Sequence, residues 1–374
     1  MKKVLIVADI PTHLPNAGNR NCILQNVILL KECGFEVYFL LLQKEKLSEA
    51  DMRDTLSFWG NKMFIYKQNF IQTLLQRLVH KFCNISNTNI PFLDLYCPWG
   101  ASKRVRYFLN KYDIYTVIVN YIWLSKLLPQ SKEYNTCIYT HDVFSNRNND
   151  GKSVWFSFSP NTESKAIKRA THILAIQDRE NIFYSFLSPG KDVRTIYMPF
   201  NFYETRFVEN RNILFLSGNN EHNQIAIRTF VKNVLPILHS NIVDLKLIIG
   251  GGICASLNDL KDNVGVELVG YVDDPKDFYS RGNIVINPVF SGTGLKVKTF
   301  EAISYGRTVL VHPHSTLGIF EPDSAPLTVC ETAADYLSVI LTTTRVDCER
   351  NSQNCYRYIK RLNNYIKKTY QEIL

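Results

Sequence analysis

Residues 291–306 read Ser-Gly-Thr-Gly-Leu-Lys-Val-Lys-Thr-Phe-Glu-Ala-Ile-Ser-Tyr-Gly. They follow Asn283-Ile284-Val285-Ile286-Asn287-Pro288, a short apolar run of the kind that forms a buried strand. The stretch then opens a helix expected to reach about Tyr305, and Gly306 stands where a C-cap glycine belongs. A glycine-rich turn between strand and helix brings bare backbone close to a ligand, because Gly292 and Gly294 lack a Cβ. The helix N-terminus beside it favours a phosphate. Lys296 and Lys298 add cations, and Glu301 lies about two turns along, within reach of a sugar hydroxyl next to that phosphate. The site reads as one for a nucleotide or nucleotide sugar. An ordinary tight strand-to-helix turn has the same spacing, so spacing alone leaves both readings open.

The pattern around this stretch is short apolar strands alternating with amphipathic helices, which implies α/β architecture with parallel sheets. Strands are expected near 3–8, 35–42, 62–66, 115–120, 136–140, 172–176 and 193–197, with a helix near 20–33 ended by Gly34. A second set follows near 212–216, 244–249, 264–269, 283–287 and 308–311, with helices near 222–239, 275–281, 296–305 and 333–342. The break falls in 198–211. We therefore expect two doubly wound Rossmann-like domains, residues 1–204 and 205–351, facing across a cleft at the C-terminal ends of their strands. Residues 352–374 carry Tyr356, Ile359, Leu362, Ile366, Tyr370 and Ile373 at helical spacing and form a last helix.

The run Gly292–Ala302, followed by Tyr305-Gly306-Arg307-Thr308-Val309-Leu310-Val311, resembles the donor-site signature of family-4 glycosyltransferases of the GT-B fold. That family usually carries two glutamates eight residues apart here. Glu301 matches the second, which by resemblance holds the ribose hydroxyls of the donor nucleotide, while Thr293 stands where the first contacts the donor sugar. The resemblance makes Gly292, Thr293, Gly294, Leu295 and Glu301 donor-binding. It also implies that the last helix crosses back to brace the first domain.

Other loops fit the same frame. The first βα loop, Asp9 to Arg20, lacks the Gly-x-Gly-x-x-Gly of a dinucleotide site, which argues against a dehydrogenase. In family-4 enzymes it borders the cleft, which implicates Gly18, Asn19 and Arg20, although Arg20 reads equally as a solvated residue of the helix start. His141 and Asp142 follow the strand ending at Thr140 and resemble a recurrent His-Asp pair of the family. The imidazole can orient the sugar or polarise the leaving phosphate, and Asp142 can tune it or order the loop. A lone histidine in this position can also be structural. Gln177 occupies the next strand's rim, Asp178 is expected to cap the following helix, and Glu180 to sit in the capping turn. Ser217-Gly218-Asn219-Asn220-Glu221-His222-Asn223 lacks the Arg and Lys that hold the diphosphate in many relatives. Gly218 and Asn219 remain donor contacts, and Lys296 and Lys298 are expected to supply the charge. Tyr271 and Val272 are expected beside the base. No Asp-x-Asp and no His/Cys cluster with ligand spacing suggests a metal, and no cofactor is expected beyond the nucleotide-sugar substrate.

The chain has 374 residues with 45% hydrophobic and 21% charged, a globular composition. No window approaches a membrane span, and the N-terminal apolar run is too short for a signal peptide. The 9 cysteines without Cys-x-x-Cys spacing fit reduced cytosolic thiols. The net charge of +9 is uneven: residues 1–204 carry +8 and residues 205–374 carry +1. A basic face of that kind suits an anionic membrane, an acidic ligand or nucleic acid; the glycosyltransferase resemblance removes nucleic acid. The stretch 71–111 is the candidate membrane face. Ile71, Leu74, Leu75, Leu78 and Phe82 form an apolar stripe beside Arg77, His80 and Lys81, and Trp99, Lys103, Arg104, Arg106, Tyr107 and Lys111 follow. The same stripe also suits packing on the core.

The expected activity is therefore retaining, metal-independent sugar transfer from a nucleotide diphosphate donor to a glycan or lipid-linked acceptor. The resemblance places it in bacterial polysaccharide or lipopolysaccharide synthesis, in the cytoplasm or peripherally at the inner face of the membrane. His141, Asp142, Lys296 and Lys298 are the expected catalytic residues. The alternatives are a non-catalytic GT-B binding protein or partner subunit, kept open by Thr293 and the cation-poor 217–223 loop, and a nucleotide-sugar epimerase.

Overall fold

A computed structural model describes residues 2–13, 18–44, 47–86, 92–147 and 157–374. Leu14–Ala17 of the first βα loop and residues 87–91 of the candidate membrane face lie outside them. The chain forms two compact units, Met1–Pro199 with Tyr365–Leu374, and Phe200–Asn364.

Unit 1 is built on β1 (Lys3–Ala8), β2 (Glu36–Leu42), β3 (Met63–Tyr66), β4 (Thr116–Asn120), β5 (Asn135–Tyr139), β6 (His172–Ala175) and β7 (Asp192–Thr195). Their order is β3-β2-β1-β4-β5-β6-β7, and every pairing is parallel. The central strands are continuous β-branched and aliphatic runs, Val4-Leu5-Ile6-Val7 and Thr116-Val117-Ile118-Val119, buried throughout. Such runs bury both faces, as a parallel sheet covered by helices requires. The covering helices are α1 (Gly18–Glu32), α2 (Glu49–Trp59), α3 (Phe70–Ser86), α4 (Ala101–Tyr112), α5 (Pro160–Ile167) and α6 (Asp178–Leu187). The strand order reverses between β1 and β4, which opens a crevice at their C-terminal ends.

Unit 2 repeats the plan with β8 (Ile213–Leu216), β9 (Leu247–Gly250), β10 (Val266–Gly270), β11 (Ile284–Asn287), β12 (Thr308–Val311) and β13 (Leu327–Val329). The order is β10-β9-β8-β11-β12-β13, again parallel, with the reversal between β8 and β11. Its helices are α7 (Glu221–Asn233), α8 (Leu235–Asn241), α9 (Pro275–Tyr279), α10 (Val297–Ser304), α11 (Ala333–Thr342) and α12 (Arg345–Ile373). In α12, Cys355, Tyr358, Ile359 and Leu362 are buried in unit 2. Ile366, Tyr370 and Ile373 are buried in unit 1, where the Tyr370 hydroxyl donates to Asn26 Oδ1 at 2.8 Å.

Three expectations need correction, and one alternative falls. The helix expected over 222–239 is two helices: α7 stops at Asn233, and Pro236 sits in the first turn of α8, where its missing N–H costs nothing. Asp178 does not cap α6. Gln177 holds the cap position, and the Asp178 carboxylate accepts from Thr195 Oγ1 at 2.7 Å and Tyr197 Oη at 2.8 Å. Tyr356 belongs to the helical pattern of α12 yet is 49% exposed. The α3 stripe does not pack on the core: Ile71, Leu74, Leu75 and Leu78, with Phe70 before them, are exposed.

Candidate active site

The glycine-rich turn leaves β11 at the switch point of unit 2 and ends in α10. Gly292 has φ +97°, which strains any residue with a side chain, and a Cβ there would touch the His222 ring at 3.4 Å, an ordinary van der Waals contact. The His222 ring reaches across from the start of α7, its Nδ1 2.7 Å from Ser291 Oγ. On the other side His314 Nε2 lies 2.9 Å from the Gly292 carbonyl, which makes that nitrogen the donor. Lys296 Nζ donates to the same carbonyl at 3.3 Å. The turn is thus clamped by groups from three loops. Gly306, φ +66°, ends α10 one residue past the cap at Tyr305, as its position in the sequence implies.

Lys296 and Lys298 have different situations. Lys296 is the N-cap residue of α10, outside the helix, with its ammonium on the turn. Lys298 lies within the first helical turn, half-buried, and its ammonium has no hydrogen-bond or ion-pair partner among the described residues. Burial brings its pKa down to about 8, against the opposing pull of Glu301. Glu301, one turn further on, is also half-buried and without a partner for its carboxylate among the described residues. Burial raises it to about 7, with Lys298 opposing. A cation and an anion held on one short helix, desolvated and unmatched, are poised for groups brought by a ligand. The helix start is only partly open, since Val297 N–H already donates to Leu295 O at 2.9 Å and Thr299 N–H to Lys296 O at 2.9 Å.

The remaining loops of unit 2 meet the same strand ends. Gly218 and Asn219 are exposed after β8. The Asn219 amide donates to Ser256 Oγ at 2.9 Å and accepts from Gln224 at 2.8 Å, and Asn223 holds the Gly218 carbonyl at 3.0 Å. Asn220 caps α7. After β10, Tyr271 is 70% exposed, while Val272 is half-buried. Thr293 is exposed, and Leu295 is half-buried.

In unit 1, His141 stands just beyond β5 with φ +64°, a left-handed conformation costly for a residue with a side chain. Its ring stacks on Tyr121 at 4.3 Å and meets Tyr139 edge-on at 4.7 Å. Asn120 Nδ2 donates to Val7 O, so Asn120 Oδ1 faces the imidazole and accepts from His141 Nε2 at 2.9 Å. Nε2 therefore carries the proton and Nδ1 presents a lone pair. Burial lowers the pKa to about 3, which removes the charged form from neutral pH. Asp142 does not tune this ring: its carboxylate pairs with Arg147 and accepts from Val143 N at 2.9 Å, which orders the loop. Arg20 is likewise committed, to Asp51 at 2.9 Å. Asn19 donates to the Tyr121 hydroxyl at 3.0 Å and so ties the start of α1 to the ring that supports His141; Gly18 is the first residue of that helix.

Comparison with known proteins gives the same frame. Residues 210–342 match the family described as glycosyl transferases group 1. The chain is superposable over its whole length on the pneumococcal O-GlcNAc transferase GtfA, solved with UDP and GlcNAc, at TM-score 0.68 and 11% identity, covering 99% of that chain. The TarM structure superposes at TM-score 0.68 and 10% identity, covering 100% of this chain and 98% of that one. The chain has the GT-B fold, and its second unit carries a glycosyl transferases group 1 match. A sequence relative is a 44.6 kDa protein of the Klebsiella pneumoniae cps region, 21% identical over 328 residues and covering 81% of each chain.

The sequence reading missed His222 and His314 as clamps of the Gly292 turn. It also missed Asp9, at the end of β1. Asp9 Oδ2 accepts from Trp123 Nε1 at 2.9 Å and Lys44 at 2.6 Å, while Oδ1 is buried without a partner among the described residues. Only its position after the first strand marks Asp9, and its partners come from distant segments. Among the described residues no group of three or more His, Cys, Asp or Glu side chains is placed to hold a metal.

Proposed function

We propose that the protein is a glycosyltransferase that moves a sugar from a nucleoside diphosphate donor to a glycan or lipid-linked acceptor in bacterial surface polysaccharide synthesis, with retention of configuration and without a metal. The observation that carries the reading is the unmatched, half-buried Lys298 and Glu301 on the helix behind the Gly292–Gly294 turn. The donor diphosphate lies against Lys298, with Lys296 near its outer phosphate, and Glu301 accepts the ribose hydroxyls. Gly218, Asn219, Thr293 and Leu295 line the donor, and Tyr271 with Val272 flanks the base. The solved neighbours with UDP, GtfA among them and an Anabaena HepE complex with UDP and glucose, support a nucleotide-sugar donor. The cps-region relative supports a polysaccharide setting.

In the retaining step the bond between the anomeric carbon and the phosphate oxygen breaks, and the acceptor hydroxyl bonds to that carbon on the same face. The hydroxyl proton passes to the departing phosphate, so no carboxylate nucleophile is needed. Lys298 stabilises the charge developing on the diphosphate. His141, neutral, accepts a sugar hydroxyl through Nδ1 and orients it. Calorimetry with a panel of nucleoside diphosphates tests the donor half, and the anomeric configuration of the product, read by NMR, tests retention. At a concentration of about 100 times its dissociation constant, the right nucleotide stabilises the fold by roughly 2.7 kcal/mol. Absence of binding by every nucleoside diphosphate and nucleotide sugar overturns the proposal. Thr293 in place of a glutamate and the cation-free 217–223 loop favour a second reading, a binding protein without turnover. Slow donor hydrolysis without acceptor separates the two.

A further inference from the structure

Unit 1 has a cavity of about 280 Å³ that neither the donor chemistry nor His141 uses. It opens at the C-terminal ends of β2 and β3 and is walled by α3. Lys44, Lys67 and Arg77 line it together with Gln43, Gln68 and Tyr96. Lys67 and Arg77 are exposed and have no ion-pair or hydrogen-bond partner among the described residues, whereas Lys44 is bound to Asp9 at the end of β1. The floor is organised by amides: Gln68 donates to Gln76 at 2.6 Å, and Gln76 donates to Leu95 O and, at 3.0 Å, to Cys97 O. Two unpaired cations, Lys67 and Arg77, beside a polar floor suit a phosphate group.

The wall helix is inverted. A helix on a globular surface buries its apolar stripe and shows its polar face to water. In α3 the face toward the protein carries Gln72, Thr73 and Gln76, and the outer face carries Phe70 (80% exposed), Ile71 (66%), Leu74 (47%), Leu75 (46%) and Leu78 (55%). Exposed apolar surface of this extent on one helix marks an interaction face. Cations bordering it define what covers it: an apolar phase whose surface is anionic. On α4, which follows, Lys103, Arg104, Arg106 and Lys111 are all exposed.

We propose that the cavity at β2, β3 and α3 binds the phosphate of a lipid-linked acceptor while the outer face of α3 lies in the membrane interface. The assignment rests on the reading of this chain as a sugar transferase and names the acceptor as a phosphate-bearing lipid. Lys67 and Arg77 contact the phosphate, and Lys44 links that contact to Asp9 at the strand ends. The apolar stripe takes up the lipid chain side, and the amides fix the headgroup by hydrogen bonds.

The test is sedimentation of the full chain with three kinds of vesicle: phosphatidylcholine alone, and phosphatidylcholine with phosphatidylserine or with phosphatidic acid at matched surface charge. Phosphatidic acid exposes a phosphate monoester, and phosphatidylserine supplies charge without one. Binding is expected in the order phosphatidic acid, phosphatidylserine, phosphatidylcholine. Lys67→Gln with Arg77→Gln lowers phosphatidic acid binding by about thirtyfold, the loss expected for two cations at the surface, and erases the preference over phosphatidylserine. Leu74→Ser with Leu78→Ser, both at exposed positions, abolishes sedimentation with all three. Inorganic phosphate at matched concentration leaves vesicle binding intact if the site takes lipid, and displaces the protein if it takes free phosphate. Equal binding to the two anionic vesicles, displacement by inorganic phosphate, an unaffected double glutamine variant, or self-association that buries the stripe in place of vesicle binding each overturns the proposal. Nucleoside diphosphate calorimetry on the same proteins keeps the two proposals separate. A native chain that binds nucleotide but shows no preference for phosphatidic acid sinks only this one, and a native chain that binds no nucleotide sinks the donor reading.

Discussion

Replacing Glu301 by Gln should weaken the nucleotide and strengthen the empty protein at the same time. Burial holds this carboxyl at about 7, against an ordinary value of 4.5. A gap of that size corresponds to about 3 kcal/mol by which the fold disfavours the charged form. The sign follows from proton binding: between 4.5 and about 7 the native state holds more protons than the unfolded chain, so stability falls as pH rises through that window. Above it the full penalty is present, and below it there is none. Glutamine removes the titration and keeps the shape. Its stabilisation is therefore absent in acid and grows to as much as about 3 kcal/mol above neutrality, with each kcal/mol worth about 2–4 °C in a domain of this size.

Binding moves the opposite way. A carboxylate accepting the ribose hydroxyls makes charge-assisted bonds worth about 1.5–3 kcal/mol each, so its loss should cost roughly tenfold to a hundredfold in affinity. Differential scanning calorimetry of the wild type and Glu301→Gln, on the acid and alkaline sides of neutrality, gives the first quantity. Isothermal titration with the preferred nucleoside diphosphate gives the second. A destabilised variant on the alkaline side, or an unchanged affinity, would refute the assignment, because either would mean that Glu301 is matched inside the protein.

Lys298→Ala should lower nucleoside diphosphate affinity and turnover by orders of magnitude, whereas Lys296→Ala should mainly loosen the Gly292 turn; titration calorimetry with matched kinetics would catch equal effects. Affinity should be highest between about pH 7 and 8, falling on the acid side as Glu301 gains its proton and on the alkaline side as Lys298 loses one; a flat profile of dissociation constants across that range counts against both roles. His141→Asn, which suits the left-handed backbone, should reduce kcat while leaving nucleoside diphosphate affinity intact, and an unchanged kcat would leave the imidazole a packing role. Gly292→Ala should lower the melting temperature of the chain by a few degrees, because φ +97° is strained for a residue with a Cβ; an unchanged melting temperature would show that the turn relaxes freely.

The strands that build the sheets were readable because they are buried on both faces, and a run such as Val4-Leu5-Ile6-Val7 has few other uses. Leu327–Val329 escaped because it is three residues long, follows a proline and lies at the sheet edge with half its surface open, so no apolar run announces it. Within the site, the Gly292–Gly294 turn and Gly306 were legible as local backbone demands, while His222 and His314 were not. Each comes from a loop whose own neighbours say nothing about Gly292, and only the parallel sheet brings the ends of β8, β11 and β12 together. The two lysines show the same limit from the other side. Sequence gives both the same charge near the same turn. One residue of helix start separates an ammonium that braces the backbone from one that burial leaves unmatched.

The α3 stripe carries that limit furthest. Periodicity establishes that Ile71, Leu74, Leu75 and Leu78 share a face, and it is silent about which way the face points. In a helix that packs on its sheet, the opposite face should be the charged one. Here the opposite face is Gln72, Thr73 and Gln76, uncharged residues of which Gln76 bonds the backbone of the 92–97 segment, while the basic Arg77 borders the apolar side. Amides that satisfy buried carbonyls, together with cations at the edge of an apolar stripe, are what a helix needs when its protein face is polar and its outer face meets lipid. The signal was in the choice of polar residue rather than in the hydrophobic period.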